Sequence, residues 1–300
     1  MTDPPRREPE TAGQAKLLLV LLSFAWGFNW VSNVFALREV TPWVLRLVGY
    51  ALGTGFMFAL VRLRGREARL PFGPVWGHVV VSGVLSVAAF GVLTGFAQVS
   101  ALTSRVVIVA YSMPVWSALI AWPILGERPN RLTLLGLVLC VAGLAVLVYP
   151  LATHGLPLGL LLALAAAVSW AAGTVYHKWA RIPGDVIAIT AWQLLLSLLI
   201  VVGCIVALEG TPHLWPLSPS AIGALAYQGI IGTGVAYFLW FSIVGRVSAA
   251  TASLGSLCVP VVGILCSIAI LGERPTAADA VGFTLIFAAA ACVLLQPSGR

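Results

Sequence analysis

Apolar runs of about 20 residues, long enough to cross a bilayer as α-helices, follow one another along nearly the whole chain. Short interruptions that carry charges, Pro or Gly separate them. Cutting the sequence at these interruptions predicts ten membrane-spanning helices, near residues 16–36, 42–63, 75–98, 102–123, 131–149, 156–179, 184–208, 219–244, 247–271 and 276–296. The pattern therefore predicts an all-α integral membrane protein.

The segment before the first apolar run has a different composition. Residues 1–14 are rich in Pro, Arg and Glu, which predicts a disordered cytoplasmic tail. A cleaved signal peptide is the alternative for the first run, Leu17–Ala36, because Lys16 and two arginines precede it. The run is too long for a signal peptide and lacks a clear cleavage site of small residues, so a retained first helix is favoured.

An internal repeat divides the remainder of the chain. The residues LGERP at 125–129 recur at 271–275, a displacement of 146, and the same displacement maps Pro114 onto Pro260. Two units of five helices are predicted, 15–150 and 151–297. Because each holds an odd number of helices, the second enters the membrane from the opposite face, so the units form inverted repeats. Alternating access is the usual use of that symmetry.

Composition agrees with a lipid environment, since 60% of the residues are hydrophobic and 9% are charged. The net charge of +7 does not indicate a nucleic-acid partner, because the basic residues lie at the ends of apolar runs and form no stripe with aromatics. With both termini in the cytoplasm, 13 Lys and Arg residues lie on the cytoplasmic side and four on the other. This bias predicts a bacterial inner-membrane protein with that orientation.

The chain carries no recognisable motif for catalysis or for a metal. The five cysteines lie inside apolar runs without a CxxC pair, and the four histidines are scattered over different links and helix ends. No cofactor and no metal site are predicted, and an integral membrane enzyme is disfavoured. A non-catalytic scaffold or channel subunit stays an alternative to a transporter.

The motifs resemble those of the drug/metabolite transporter superfamily. They are SFAWGFN at Ser23–Asn29, Arg46 in the second helix, and the two copies of LGERP. Within the superfamily the chain resembles the EamA-type ten-helix exporters, and its Trp-rich first and sixth helices resemble the bacterial aromatic amino acid exporters of the YddG type. The resemblance implies a central cavity surrounded by helices three, four, eight and nine and parts of one and six.

Two prolines in the repeat are candidates for functional kinks. Pro114 and Pro260 each remove a backbone donor and free the carbonyl four residues earlier, at Ala110 and Ser256. An unpaired carbonyl at membrane depth is tolerated when it faces a cavity or is buried in protein. We therefore expect both carbonyls to face the substrate pathway, with static, packed kinks as the alternative.

Polar and aromatic residues near the kinks or deep in the helices complete the predicted substrate cavity. Its residues are Trp26, Asn29, Gln98, Tyr111, Ser112, Pro114, Trp170, Tyr237, Trp240, Ser256 and Pro260. Core packing is the alternative for the aromatic residues, and hydrogen bonding between helices is the alternative for the amides.

Two charged features allow a functional and a structural interpretation. Arg105, near the outer end of helix four, is predicted to attract a substrate carboxylate, and snorkelling to the interface is the alternative. Arg46 is interpreted as a snorkelling residue. LGERP is explained by a tight helical hairpin in which Gly ends one helix and Pro starts the next. A latch formed between its Glu–Arg pair and the opposite half is the alternative.

These features together predict a secondary transporter that exports small amphipathic metabolites, above all aromatic and other neutral amino acids. All ten acidic residues lie in tails, loops or helix ends, so facilitated transport is expected. Amino acids with a second charge are expected to be poor substrates, because that charge would be desolvated without a buried partner. The alternative is a proton-coupled exporter of drugs or other metabolites. The expected partners are the small-molecule substrate and membrane lipid, and no oligomeric state is predicted.

Overall fold

The computed structural model describes residues 10–126, 128–152, 157–211, 215–244 and 258–294. These residues form ten helical spans joined by short links. The spans are α1 (Glu10–Leu37), α2 (Pro42–Leu63), α3 (Val75–Ser100), α4 (Thr103–Leu125), α5 (Arg131–Ala152), α6 (Leu158–Ala180), α7 (Val186–Glu209), α8 (Pro219–Ala226, Tyr227–Val235 and Ala236–Val244), α9 (Cys258–Leu271) and α10 (Ala277–Leu294).

The helices confirm an all-α membrane protein. Eight of them, α1 to α8, are long and apolar enough to cross a membrane, and the described parts of α9 and α10 are shorter apolar helices. One boundary corrects the predicted tail, because α1 begins at Glu10 rather than after residue 14. Residues 10–16 read ETAGQAK, and their Glu, Ala, Gln and Lys are good helix formers that extend the helix beyond the apolar run.

The internal repeat is visible in the backbone. α3 contains a π-helical segment, Val84–Ala89, and α8 contains another, Tyr227–Val235. Moving the first segment by 146 residues places it at 230–235, inside the second. The same displacement carries Met113–Leu125, the second part of α4, onto 259–271 of α9. The two halves therefore share irregular as well as regular features.

Packing between the helices follows a two-fold pattern. α1 packs on α9 and α8, while α6 packs on α4 and α3, so exchanging each helix with the one five positions along exchanges these contacts. α2 and α7 pack on each other, as do α5 and α10, and both pairs map onto themselves. This arrangement is that of two repeats related by a pseudo-two-fold axis, as in many transporter folds.

Both LGERP copies end a helix with a left-handed glycine. Gly126 has φ 73° and donates its N–H to the Trp122 carbonyl, and Gly272 has φ 69°. The next helix begins at a capping residue, Asn130 in the first copy and Thr276 in the second. The hairpin interpretation is confirmed, with each Pro directly before the capping residue rather than inside the first turn. Glu127 lies outside the described residues.

Candidate functional site

The spans surround a cavity of about 520 Å³, within the range of small-molecule sites. We call the membrane face at which α1 begins the N-terminal face, and the opposite one the distal face. The cavity reaches the ends of α4, α6 and α8 at the N-terminal face, through Leu125, Lys178 and Trp240. Lys178 is exposed, whereas the lining residues Arg46 and Gln228 deeper in the membrane are buried. Within the described residues, the cavity therefore reaches the N-terminal face and not the distal face.

Seven of the predicted site residues line this cavity: Trp26, Asn29, Tyr111, Pro114, Trp170, Tyr237 and Trp240. Gln98, Ser112 and Pro260 do not line it, and Ser256 lies outside the described residues. The aromatic residues and the first of the two prolines thus come together as the sequence predicts.

The three predicted residues that do not line the cavity are held by contacts within the protein. Gln98 donates to the Trp30 carbonyl (2.7 Å) and accepts from the Asn33 amide (3.2 Å), so it ties α3 to α1. Ser112 donates to the Val109 carbonyl at 2.6 Å within α4. Pro260 is buried in α9, which packs on α1. For these three residues the structural alternative describes the conformation observed.

The break in α4 lies slightly before the predicted kink. Its helical parts, Thr103–Ala110 and Met113–Leu125, are separated at Tyr111 and Ser112, so Pro114 stands in the first turn of the second part. A proline is tolerated there because first-turn N–H groups lack an intrahelical partner anyway. Ala110 is fully buried and does not line the cavity, so its carbonyl does not make the predicted contact with the pathway in this conformation.

The helices around the cavity differ from those that the family resemblance implies. α2 contributes Arg46 and Tyr50 to the wall, whereas no described residue of α9 does so. α2 comes close because Gly49 lies against Gln228 of α8, where a Cβ would stand 1.7 Å from the amide oxygen. The described part of α9 is occupied by packing on α1 and α4. The wall is thus formed by α1, α2, α3, α4, α6 and α8.

Aromatic rings form the middle of the wall. The Trp26 ring meets Tyr237 edge-on with centroids 6.1 Å apart, and its centroid lies 5.9 Å from that of Trp240. Across the cavity, Phe90 meets Trp170 edge-on at 4.8 Å. Such edge-on pairs hold one another in place and still present faces on which an apolar or aromatic ligand can stack.

The π-helical segments shape the wall and were not predicted. A π turn shifts the backbone hydrogen bonds by one residue and leaves carbonyls available to other partners. Side chains of other helices bond to such carbonyls: Tyr50 to Val87 (2.6 Å), and Trp26 to Gly232 (3.1 Å). In lipid these bonds replace the backbone partners that water would otherwise provide. The irregular backbone therefore fixes two residues of the cavity wall.

Arg46 is the functional candidate that sequence reasoning missed. It is 6% exposed and does not snorkel, because its Nε donates to the Gly91 carbonyl (2.6 Å) and its Nη2 to the Thr94 hydroxyl (3.1 Å). A charge inside a membrane span is a functional-site signal in its own right, and this signal could have identified it. Among the described residues, Arg46 and Lys178 are the charged side chains that line the cavity, and both are basic.

Contacts between the two repeats close the distal face. The Glu273 carboxylate, in the second LGERP copy, accepts from the backbone N–H groups of Thr103 (2.7 Å) and Ser104 (2.9 Å) at the start of α4. Arg105 forms a two-pronged ion pair with Asp279, at 2.5 and 2.8 Å. Its guanidinium therefore has a carboxylate partner within the protein, and the predicted attraction of a substrate carboxylate does not describe this conformation. The glutamate, one residue of the Glu–Arg pair in the alternative interpretation, thus contacts the opposite repeat, and we refer to this contact as the latch.

One further contact between the links that join the helices occurs at each face. At the distal face Ser218 donates its N–H to Glu39 at 2.8 Å and bonds to it through its hydroxyl as well. The hydroxyl bond, and after it the amide bond, hold the pKa of Glu39 below its ordinary value. At the N-terminal face Arg66 and Asp185 form the equivalent pair between links. Because both faces have this contact, it does not distinguish the closed face from the open one.

Comparison with known proteins agrees with this architecture. The EamA-like transporter family matches residues 14–149 and 157–295, which together make up most of the chain. The chain belongs to the EamA-like transporter family. This EamA-like transporter is 26% identical to a probable amino-acid metabolite efflux pump of Salmonella typhimurium over 90% of its own length and 91% of that protein. It is 30% identical to the uncharacterized transporter YvbV of Bacillus subtilis over 90% and 88% of the two chains.

A solved crystal structure is similar to this EamA-like transporter as a whole. The two superpose with a TM-score of 0.66 at 25% sequence identity, over 93% of this chain and 97% of the other. Membership of a transporter family implies that the protein moves its ligand rather than transforms it.

Proposed function

We propose that this EamA-like transporter exports small amphipathic metabolites, above all aromatic and other neutral amino acids, by alternating access. The observation that carries the proposal is a cavity with aromatic walls that is open at one face and closed at the other by contacts between inverted repeats. The relative named a probable amino-acid metabolite efflux pump supports the same substrate class. The resemblance to aromatic amino acid exporters stays a prediction.

The asymmetry of the cavity wall supports alternating access. α4 and α9 occupy equivalent positions in the two repeats, yet α4 lines the cavity and the described part of α9 does not. In a pseudo-symmetric fold, exchanging the roles of the two repeats opens the opposite face. Rocking would release Glu273 from the start of α4 and expose the cavity at the distal face. The substrate would then leave on the side opposite to the one it entered.

The charge bias supports an orientation with the N-terminal face in the cytoplasm. An open cavity on that side is what an exporter needs for loading. In a cysteine-free background, we expect a cysteine at Glu67 to react with an impermeant reagent only from the cytoplasmic side. A cysteine at Trp215, which is exposed at the distal face, should react only from outside. Reaction of both positions from the same side would contradict the topology.

Energy coupling is proposed to come from the substrate gradient alone. Among the described residues, the charged side chains that line the cavity, Arg46 and Lys178, are basic, whereas proton-coupled transporters commonly use a membrane-embedded carboxylate as the proton site. A cell that accumulates the substrate would then drive its export without an ion.

Counterflow of labelled tryptophan into proteoliposomes tests the function. We expect tryptophan, phenylalanine and leucine to compete at least about tenfold better than lysine, because the buried Arg46 charge repels a second positive charge. Protein-free liposomes give the background, and an imposed pH gradient should not drive accumulation. Equal competition by lysine would contradict the proposed selectivity, and accumulation driven by the proton gradient would contradict facilitated transport.

A further inference from the structure

We propose that Arg46 binds the carboxylate of the substrate at the closed end of the cavity. The selected chemistry is then a carboxylate on an apolar or aromatic body. The inference rests on the proposed function and identifies which group of the substrate the deep end of the site recognises. Three features support it: the fit of Arg46 against α3, the donors of its guanidinium that have no partner in α3, and the amide and aromatic side chains that line the cavity.

Glycines of α3 hold the guanidinium in place. Arg46 projects from α2 across Gly91 and Gly95, where a Cβ would come within 3.2 Å of its Cδ and 3.8 Å of its Nε, respectively. A Cβ at Gly91 would also stand 1.9 Å from the Tyr50 hydroxyl. The side chain is thus fitted against the α3 backbone, with its Nε and one Nη fixed by hydrogen bonds to α3. A group fixed before the ligand arrives loses little entropy on binding.

Arg46 lines the cavity and has further donors besides the two that bond to α3. A guanidinium has five N–H groups and keeps its charge, and two of these groups bond to Gly91 and Thr94. Both acceptors are neutral, and within the described residues no carboxylate pairs with Arg46. The alternative, a purely structural link between α2 and α3, does not require a charge, because a neutral amide could make the same two bonds. A buried charge is costly without a counter-charge, and a substrate carboxylate supplies one.

Two amide oxygens beside the cavity have no donor and could accept from a ligand ammonium group if their amides rotate. Asn29 and Gln228 line the cavity, and Oδ1 of the first and Oε1 of the second are buried acceptors without a donor. Gln228 lies against Gly49, one turn along α2 from Arg46. Rotation of either amide toward the cavity would offer a ligand ammonium a hydrogen bond. We therefore assign the carboxylate to Arg46 and the ammonium to this pair, with the aromatic wall around the side chain.

Binding of matched ligands to purified protein tests the assignment. Indole-3-propionate and indole-3-propionamide share their ring and chain and differ in charge. Wild-type protein should bind the carboxylate at least about tenfold more tightly than the amide, as expected for a charge-assisted pair. Arg46→Gln should lose that preference while keeping the affinity for the amide. Tryptophan should bind more tightly than indole-3-propionate if its ammonium is recognised.

A matched control and a second variant keep the test decisive. Arg62→Gln removes the same charge from an exposed position of the same helix and should keep the wild-type preference. Arg46→Lys keeps the charge but loses the planar fork, so its preference should fall between those of wild type and Arg46→Gln. If the glutamine variant does not fold, an unchanged preference in the lysine variant overturns the proposal. An equal affinity of wild type for both ligands, or a preference retained by Arg46→Gln, also overturns it.

The outcomes separate this inference from the proposed function. A carboxylate preference that depends on Arg46, in a protein that moves no amino acid in proteoliposomes, would support the site and contradict amino acid export. Tryptophan binding no more tightly than indole-3-propionate would overturn the ammonium assignment and leave carboxylic acids without an amino group as the ligands.

Discussion

Replacing Glu273 with alanine should reduce transport by about ten- to a hundredfold. The carboxylate accepts two backbone N–H groups at the first turn of α4, where a negative charge also interacts favourably with the helix dipole. Each donor left unpaired costs about 1–3 kcal/mol, so the variant weakens the state in which the distal face is closed. A transporter that cannot hold this state loses half of its cycle.

The reagent accessibility of the distal face gives a second measurement of the same change. Ser104 is 1% exposed, and its contact with Glu273 uses the backbone, so a cysteine at this position keeps the contact. In a cysteine-free background, the Glu273→Ala variant should react with an impermeant thiol reagent faster at position 104 than its parent. The rate of tryptophan counterflow is measured on the same preparation.

Glu67 provides the matched control for this prediction. It is an exposed glutamate in the link between α2 and α3, so Glu67→Ala removes the same charge and should leave both the transport rate and the reactivity at 104 unchanged. Glu273→Gln keeps one acceptor oxygen, so its transport rate and its reactivity at position 104 should fall between those of the parent and those of Glu273→Ala. An unchanged transport rate together with an unreactive cysteine in Glu273→Ala would show that the contact only stabilises the hairpin locally and has no role in transport.

The latch also explains why LGERP occurs twice. The displacement of 146 residues relates Glu273 to Glu127, and it relates Thr103 and Ser104 to 249 and 250. These three equivalent positions lie outside the described residues. If the two repeats exchange roles during the cycle, the first copy is expected to cap the start of the ninth helix when the opposite face closes. A hairpin alone would need the Gly and a capping residue but no acid at this position.

Much of the fold was predictable because lipid imposes strict rules on sequence. The length of the apolar runs fixes the helices, and the displacement of LGERP fixes the relation of the halves. The π segments were not predictable in the same way. Whether a segment such as Tyr227–Val235 winds as α or π depends on which side chains of other helices take up its carbonyls, and those partners are set by packing.

The candidate site was predictable where residue type alone carries the signal. Deep tryptophans and Tyr237 came together, because large amphipathic rings at membrane depth have few other places to lie. Polar residues were less predictable. Asn33 donates to Gln98 across helices, whereas Asn29 lines the cavity, and nothing in their local sequence separates these cases. Arg46 was interpreted as snorkelling because the space that it occupies is left by Gly91 and Gly95 of another helix, 45 and 49 residues along the chain.

A helix crossing beside the cavity should be intolerant of a single methyl group. Gly173 of α6 packs on the π segment of α3, where a Cβ would stand 2.1 Å from Ser86 Oγ and 2.9 Å from both Leu85 Cβ and Ser86 N. The hydroxyl can rotate away, but the Leu85 Cβ and the backbone nitrogen cannot. Gly173→Ala should therefore lower the free energy of unfolding by about 1–3 kcal/mol and displace the nearby Trp170 side chain, which lines the cavity.

The chain offers a matched control for this substitution. Gly203 lies inside α7 with no atom within 4 Å of a Cβ, so Gly203→Ala should not lower stability and should gain about 0.5–1 kcal/mol from helix propensity. Unfolding is measured on protein in nanodiscs, with ligand affinity as a second readout. Equal stability of the Gly173→Ala and Gly203→Ala variants would mean that α3 and α6 can separate at this crossing at no cost, and the crossing would then not be what fixes the width of the cavity.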